Sequence, residues 1–166
     1  MAIILQAPTY SGEIKVPSIF LAGGISNCPN WQDLMIHGLY PIRKLAIFNP
    51  RRDAFDIENQ RMASEQIEWE HDHLKLADMI LFWFSEGSVC PITLFEYGRW
   101  GRLGQTTHSA MSYIDKRKIF VGCHPNYIRK FDVEMQTALE LGPTIHNSID
   151  SLLSAVLSHL KSVNIT

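Results

Sequence analysis

Short runs of consecutive apolar residues recur along this 166-residue chain. Most of them are apolar at nearly every position, a pattern typical of central parallel strands that are covered on both faces. The runs lie at residues 2–7, 18–23, 45–50, 79–84 and 118–123, with a weaker one at 143–146. We predict a parallel sheet built from the five runs that begin at residue 18, with the run at 2–7 as an additional strand at an edge.

Segments with helical periodicity lie between these runs. They cover residues 30–39, 60–77, 91–104, 129–141 and 148–161. In the last segment, Ser148 is placed to act as an N-cap, and apolar residues recur on one face from Leu152 to Leu160. Because strand and helix alternate from Ser18 onward, we predict a doubly wound α/β sandwich, with helices on both faces of the sheet, in a single domain of residues 1–166.

Ligands of doubly wound folds bind outside the carboxyl ends of the strands. We therefore expect the chemistry in the loops that follow Leu21, Phe48, Phe84 and Val121. The first loop, in "LAGGISNCPNW", contains Gly23 and Gly24, which either let the backbone approach a ligand closely or form a simple tight turn. The segment is neither G-x-G-x-x-G nor a Walker loop, which argues against a dinucleotide site and an ATPase.

Two arginines, Arg51 and Arg52, follow the apolar run at 45–50. Guanidinium groups at the end of a strand suit a phosphate or a carboxylate. Arginines are also common in solvent-exposed loops, so the sequence alone leaves both interpretations open.

Two glutamates lie in apolar surroundings. Burying a carboxylate there costs free energy unless it is paired with a cation, hydrogen-bonded or needed for the chemistry. Glu70 falls on or beside the predicted apolar stripe of its helix, with Ile67 and Leu74, and we expect that stripe to meet the sheet. Glu96 lies in "PITLFEYGRW", among apolar residues near the predicted start of a helix.

Paired carboxylates with aromatic neighbours suit chemistry at the anomeric carbon of a sugar. One carboxylate acts as a nucleophile and the other hydrogen-bonds or manages protons. The aromatic residues available to stack on a base are Phe20, Trp31, Trp83 and Tyr97. A structural alternative makes Glu96 a buried ion-pair partner of Arg99 or Arg102.

Composition narrows the range of partners. The formal net charge is -2 and charged residues make up 19% of the chain, so we expect no basic face for a nucleic-acid polymer. No apolar stretch approaches the ~20 residues that a membrane span requires. The first apolar run lacks a basic flank and a cleavage site, so it predicts a strand rather than a signal peptide.

Cysteine and histidine spacing argues against a metal or a disulfide framework. Cys28, Cys90 and Cys123 are far apart and odd in number, which fits a reducing, cytoplasmic setting. His71 and His73 are two positions apart on a predicted helix, so they point in different directions and are poorly placed to share an ion. We expect no metal.

The order of several segments resembles the nucleoside 2-deoxyribosyltransferase-like family. These segments are "IFLAGGI", "NPRR", "IEWEHDHLKLADMILFWF", "ITLFEYGRWG" and "FVGCHPNYIRKFDVEMQ". The resemblance covers roughly residues 18 to 155 and is closest to a divergent bacterial and phage branch. It implies a flavodoxin-like fold with a five-stranded parallel sheet, no metal or organic cofactor, and a homodimer or larger homo-oligomer.

The resemblance also implies roles for particular residues. Glu96 matches the catalytic glutamate that attacks the anomeric carbon and holds the deoxyribosyl group covalently, and Glu70 matches an acidic residue near the base. The residues expected to bind substrate are Phe20, Ala22, Gly23, Gly24, Ile25, Arg51, Arg52, Ser88 and Cys90.

Two positions depart from the family pattern. Phe20 stands where established transferases usually have tyrosine, and Cys90 stands where they have an aspartate that orients the nucleophile and the base. The absence of that aspartate argues against base exchange, whereas hydrolysis requires less recognition of an acceptor base. Because related members cleave nucleoside monophosphates, Arg51 and Arg52 are candidates to bind a 5′-phosphate.

We therefore predict a glycosyltransferase or N-glycosidase that acts on a (deoxy)nucleoside or a nucleoside monophosphate through a glutamate nucleophile. The substrate is a small molecule rather than a nucleic-acid polymer, and no membrane is involved. The alternative is a non-catalytic module on the same scaffold that binds a nucleotide or an NAD derivative.

Overall fold

A five-stranded, all-parallel sheet organises the computed structural model, which describes residues 1–10, 12–56, 58–101, 117–140, 142 and 144–165. The strands are β1 (Ile3–Gln6), β2 (Ser18–Gly23), β3 (Ala46–Asn49), β4 (Met79–Phe84) and β5 (Lys118–Cys123). Their order across the sheet is β1-β3-β2-β4-β5. The prediction that the first run forms an edge strand is confirmed.

The strand order is consistent with a flavodoxin-like fold. When β1 is set aside, β3-β2-β4-β5 reproduces the first four positions of the flavodoxin order 2-1-3-4-5. The chain leaves β2 toward β3 on one side and then crosses to β4 on the other side. Ligand sites of such sheets lie at this reversal, beyond the carboxyl ends of the two neighbouring strands.

The fifth strand of the sheet is not the one that the sequence predicted. Within the described residues near 143–146, pairing is limited to a single bridge between Gly122 and His146. The His146 N–H donates to the Val121 carbonyl at 3.0 Å, and the Cys123 N–H donates to the His146 carbonyl at 2.8 Å. Residue 143 lies outside the described residues, and α5 is already capped at Ser148, so little described chain is left to pair.

Five helices connect or follow the strands. They are α1 (Trp31–Leu39), α2 (Gln60–Leu76), α3 (Pro91–Trp100), α4 (Lys130–Glu140) and α5 (Ile149–Ser162). Pro91 lies in the first turn of α3, as predicted, and the Ser148 hydroxyl accepts the Ser151 N–H at 3.1 Å, which confirms that cap. Residues 102–104, predicted to extend α3, lie outside the described residues. Throughout the described parts of the chain, every helix is too short or too polar to cross a membrane.

Alternate residues of the strands pack into two separate cores, one on each face of the sheet, which explains why the strands are apolar throughout. Ile19 and Leu21 of β2 point to the face covered by α1 and α5, where they belong to the same cluster as Trp31. Phe20 belongs to the cluster on the opposite face, with Trp69 of α2 and other residues of α3 and α4. With both faces of the sheet covered, ligand chemistry is left to the ends of the strands.

Candidate active site

A cavity of about 400 Å³ lies beyond the carboxyl ends of β2, β3 and β4. The volume is within the usual range for small-molecule sites. The residues that line it and that the sequence singled out are Phe20, Ala22, Gly23, Gly24, Ile25, Arg52, Glu70, Ser88, Cys90 and Glu96. The described lining residues come from β2, from the loops after β2, β3 and β4, and from α2 and α3. None comes from the loop after Val121, which we had also expected to contribute to the site.

Glu96 lies on α3, about one and a half turns after the helix begins at Pro91. Burial raises the pKa of Glu96 to about 8, and the charge of Glu70 contributes to the increase. Among the described residues, none forms a hydrogen bond or an ion pair with Glu96. Arg99, one of the two predicted partners, instead packs over the Trp100 ring at 4.9 Å, and Arg102 lies outside the described residues.

Glu70 is held by the residue one turn before it on α2. The Gln66 Nε2 group donates one hydrogen bond to Glu70 Oε1 and another to the Pro50 carbonyl, each 2.7 Å long. Burial raises the pKa of Glu70, while the bond from Gln66 opposes that increase. Because Glu70 accepts the bond from Gln66 and Glu96 accepts none from the described residues, the pair favours charge on Glu70 and the proton on Glu96.

The buried face of α2 coincides with only part of the predicted stripe: Leu74 is in the core as predicted, but Ile67 is not. The residues packed against the sheet side include Trp69 and His73, whereas Ile67 is 66% exposed at the rim of the cavity. His73 stacks on Trp69 at 3.9 Å and its Nδ1 lies 2.7 Å from the Trp69 carbonyl. Ile67 and Glu70 line the cavity, beside the face of α2 that carries Trp69 and His73.

Metal-ligating groups are dispersed in the parts of the chain that the structure describes. No group of three or more His, Cys, Asp or Glu side chains among the described residues is arranged to hold a metal ion.

The two adjacent glycines are accounted for by contacts within the protein. A Cβ on Gly23 would lie 2.5 Å from the Trp31 ring and 2.6 Å from the Trp83 carbonyl oxygen. A Cβ on Gly24 would lie 2.6 Å from Cys28 Sγ and 2.7 Å from Cys90 Sγ. Both glycines still line the cavity, but internal packing already requires them to lack side chains.

The two arginines of the β3 loop occupy different environments. The Arg51 Nη2 group donates to the carbonyls of Ile25 and Pro29, each at 3.2 Å, and its Nε donates to Gln32 Oε1 at 2.9 Å. Arg51 is absent from the described residues that line the cavity, and its bonds stabilise the loop after β2. The predicted contact between Arg51 and substrate is therefore not supported by this geometry.

Arg52, in contrast, lines the cavity. Its Nη1 is buried and has no hydrogen-bond partner among the described residues; the carboxylate of Glu65 lies 3.9 Å away. The guanidinium carbon lies 5.9 Å from the centre of the Phe55 ring. Arg52 is thus a cation with an unused buried donor in the cavity wall.

Of the four aromatic residues predicted to stack on a base, only Phe20 is among the described lining residues. Trp31 and Trp83 are buried in the core on the α1 and α5 side of the sheet. The Tyr97 hydroxyl is 2.7 Å from Thr137 Oγ1, and this bond ties α3 to α4. Their large apolar surfaces are used in packing, which sequence spacing alone does not reveal.

Among the described lining residues that the sequence analysis missed are Phe55, Gln66 and Thr93. Gln66 and Thr93 precede Glu70 and Glu96 by four and three positions, so helical spacing could have placed each on the same face as its glutamate. Phe55 lies in a loop, where no periodic pattern indicates which way a side chain points.

Comparison with known proteins gives a family-level match. A family model described as "Nucleoside 2-deoxyribosyltransferase like" matches residues 16–127, which is more than half of the chain. The matched range contains every described residue that lines the cavity, and α4 and α5 lie beyond it. No curated protein matches the chain.

The raised pKa of Glu96 should make the stability of the folded state depend on pH. Between the ordinary value of 4.5 and about 8, folded Glu96 keeps a proton that the unfolded chain releases, so the folded state loses stability as pH rises through this window. Glu96→Gln cannot ionise. We expect its melting temperature to exceed that of the unmodified chain by roughly 5 °C at pH 8 and to differ little at pH 5, as measured by calorimetry.

Glu68→Gln, at an exposed position of α2, is the matched control. The ion-pair alternative predicts the opposite sign, because removal of the Glu96 charge would leave a buried cation without its partner. A lower melting temperature for Glu96→Gln at pH 8 would therefore contradict the protonation described above.

Proposed function

Since the chain belongs to the nucleoside 2-deoxyribosyltransferase-like family, we propose that it cleaves the N-glycosidic bond of a (deoxy)nucleoside or a nucleoside monophosphate, with Glu96 as the nucleophile. The observation that carries this proposal is the meeting of Glu70 and Glu96 in one cavity, with Gln66 fixing Glu70. Two carboxyl groups of unequal pKa in one site can divide nucleophilic and proton-transfer work between them.

The proton that remains on Glu96 in the empty site fits this chemistry. On substrate binding, that proton passes to Glu70 and then to the departing base. Glu96, now a carboxylate, forms a bond to the anomeric carbon as the bond from that carbon to the base nitrogen breaks. Water or a second base then attacks the glycosyl ester, releases Glu96 and returns a proton to the pair.

We propose that the glycosyl group passes to water rather than to a second base. Cys90 lines the cavity at the position where the family pattern has a carboxylate that orients the base. A thiol is a weak hydrogen-bonding group, so it binds and orients an acceptor base less strongly than a carboxylate does. Water needs no such recognition, so the glycosyl ester is expected to react with water when acceptor base is scarce.

Arg52 supports a substrate that carries a 5′-phosphate. Its buried Nη1 has no hydrogen-bond partner among the described residues and is available to a phosphate oxygen. The neighbouring Phe55 adds an apolar surface at the same end of the cavity.

We also propose that the protein forms a homo-oligomer. Phe131 and Leu139, on one face of α4, are 73% and 75% exposed, and Met135 lies between them. On α3, Phe95 is 70% exposed and adjoins Glu96 in the sequence. Aromatic and aliphatic side chains exposed in this way are typical of interfaces, and a second copy seated there would border the site.

The base-release assay tests the proposal. Incubation with pooled deoxynucleosides and deoxynucleoside monophosphates should release free base, measured by chromatography. Glu96→Ala should lower the rate by about three orders of magnitude or more, because the covalent route is lost, while the far-ultraviolet circular dichroism stays unchanged.

Two results would favour the alternative of a non-catalytic binding module: tight nucleotide binding without base release, or full activity in the alanine variant. The pH profile adds a second criterion. Because the proposed active form carries one proton on the carboxyl pair, kcat/KM should fall as pH rises through about 8.

Arg52 can be tested separately. Arg52→Gln should raise KM for a nucleoside monophosphate roughly 10-fold to 100-fold, because a charge-assisted bond to phosphate is lost, and should change KM for the unphosphorylated nucleoside little. Arg61→Gln is the matched control, since exposed Arg61 pairs with the same Glu65 at 3.3 Å. Equal losses on both substrates would exclude phosphate recognition by Arg52.

A further inference from the structure

Two thiols from distant parts of the chain meet above Gly24. Cys28 lies in the loop after β2, and Cys90 lies directly before α3. A Cβ on Gly24 would be 2.6 Å from the Cys28 sulfur and 2.7 Å from the Cys90 sulfur. Two atoms that both lie so near one point are close neighbours, and Gly24 leaves the space between the loops in which they meet.

The two sulfurs differ in their access to solvent. Cys28 is partly exposed, whereas Cys90 is buried and lines the cavity. Burial and the charge of Cys90 raise the pKa of the Cys28 thiol, while hydrogen bonds from Ser85 and Ser88 oppose that increase. An oxidant from solvent therefore reaches Cys28 first, and Cys90 is within reach to resolve the product.

We propose that Cys28 and Cys90 form an oxidation site at which a hydroperoxide converts the two thiols into a disulfide. With hydrogen peroxide, the Cys28 thiol loses its proton and its sulfur attacks one oxygen. The O–O bond breaks to give a sulfenic acid, and the departing hydroxide takes up the proton to form one water. The Cys90 thiol attacks the sulfenic sulfur, the S–S bond forms, and the hydroxyl leaves as a second water. In total, two thiols and one peroxide give one disulfide and two waters.

The bond joins two walls of the candidate active site. One wall is the loop after β2, which contributes Gly24, Ile25 and Ser26 to the cavity, and the other is the start of the helix that carries Glu96. Cys90 has φ 49° and ψ 52°, so its backbone already turns sharply where α3 begins. Oxidation thus cross-links these loops without requiring any part of the proposed glycosidic chemistry.

Peptide mapping of the oxidised full-length chain tests the site. The protein is treated with an equimolar amount of hydrogen peroxide, alkylated in denaturant so that buried thiols also react, and digested without reductant. We expect intact chains that have lost two hydrogen atoms, that carry one alkyl group, and that yield a linked peptide pair containing Cys28 and Cys90. A dithiol reductant should restore three alkylated cysteines.

Cys123 supplies the matched control, since it is buried and its pKa is raised, mainly by burial. Cys123→Ser should keep the linked pair, whereas Cys28→Ser and Cys90→Ser should reduce it to background. If a variant fails to fold, the peptide map of the unmodified chain still tests whether Cys28 and Cys90 form the disulfide. A Cys90–Cys123 link, a link between two chains, or three alkylated cysteines after peroxide treatment would overturn the proposal.

Discussion

Two carboxyl groups that share one cavity cannot both ionise without a large electrostatic penalty, and the candidate site is organised around this constraint. Glu70 accepts a bond from Gln66, which favours its charged form, whereas Glu96 receives no such bond from the described residues. The same Gln66 group also holds the Pro50 carbonyl, so the proton balance of the pair is tied to the loop after β3. The inequality between the two glutamates therefore follows from the fold itself.

The walls of the cavity are held by groups that do not enter it. The Trp31 Nε1–H donates to the Gly24 carbonyl at 3.0 Å, and Arg51 bonds two further carbonyls of the same loop. Opposite this loop, the hydroxyl of Tyr127 donates to the Val89 carbonyl at 2.7 Å. Because these bonds fix the backbone, reactive side chains in the loops can keep a defined position without regular secondary structure around them.

The sequence predicted the strands and helices, and the importance of the two glutamates, because each can be recognised from the local pattern of apolar and polar residues. Continuous apolar runs indicate buried parallel strands, and a carboxylate in an apolar helix segment indicates a function or a partner. The errors arose where tertiary contacts decide the outcome. Trp69 and His73 occupy the buried face of α2 where the predicted stripe had placed Ile67, and Arg51 donates to loop carbonyls that no sequence pattern reveals. The apolar run at 143–146 is too short to show from sequence whether it forms a full strand or only a single bridge.

The central claim is that Glu96 forms a covalent bond to the sugar. Its most direct test is intact-mass measurement after incubation with a 2-fluoro-2-deoxy nucleoside and its 5′-monophosphate, since the fluorine slows breakdown of the glycosyl ester. We expect one added sugar residue, mapped to Glu96 by peptide sequencing and absent from Glu96→Ala. A sugar adduct on any other residue, or base release from the analogue with no adduct at any time point, would contradict it.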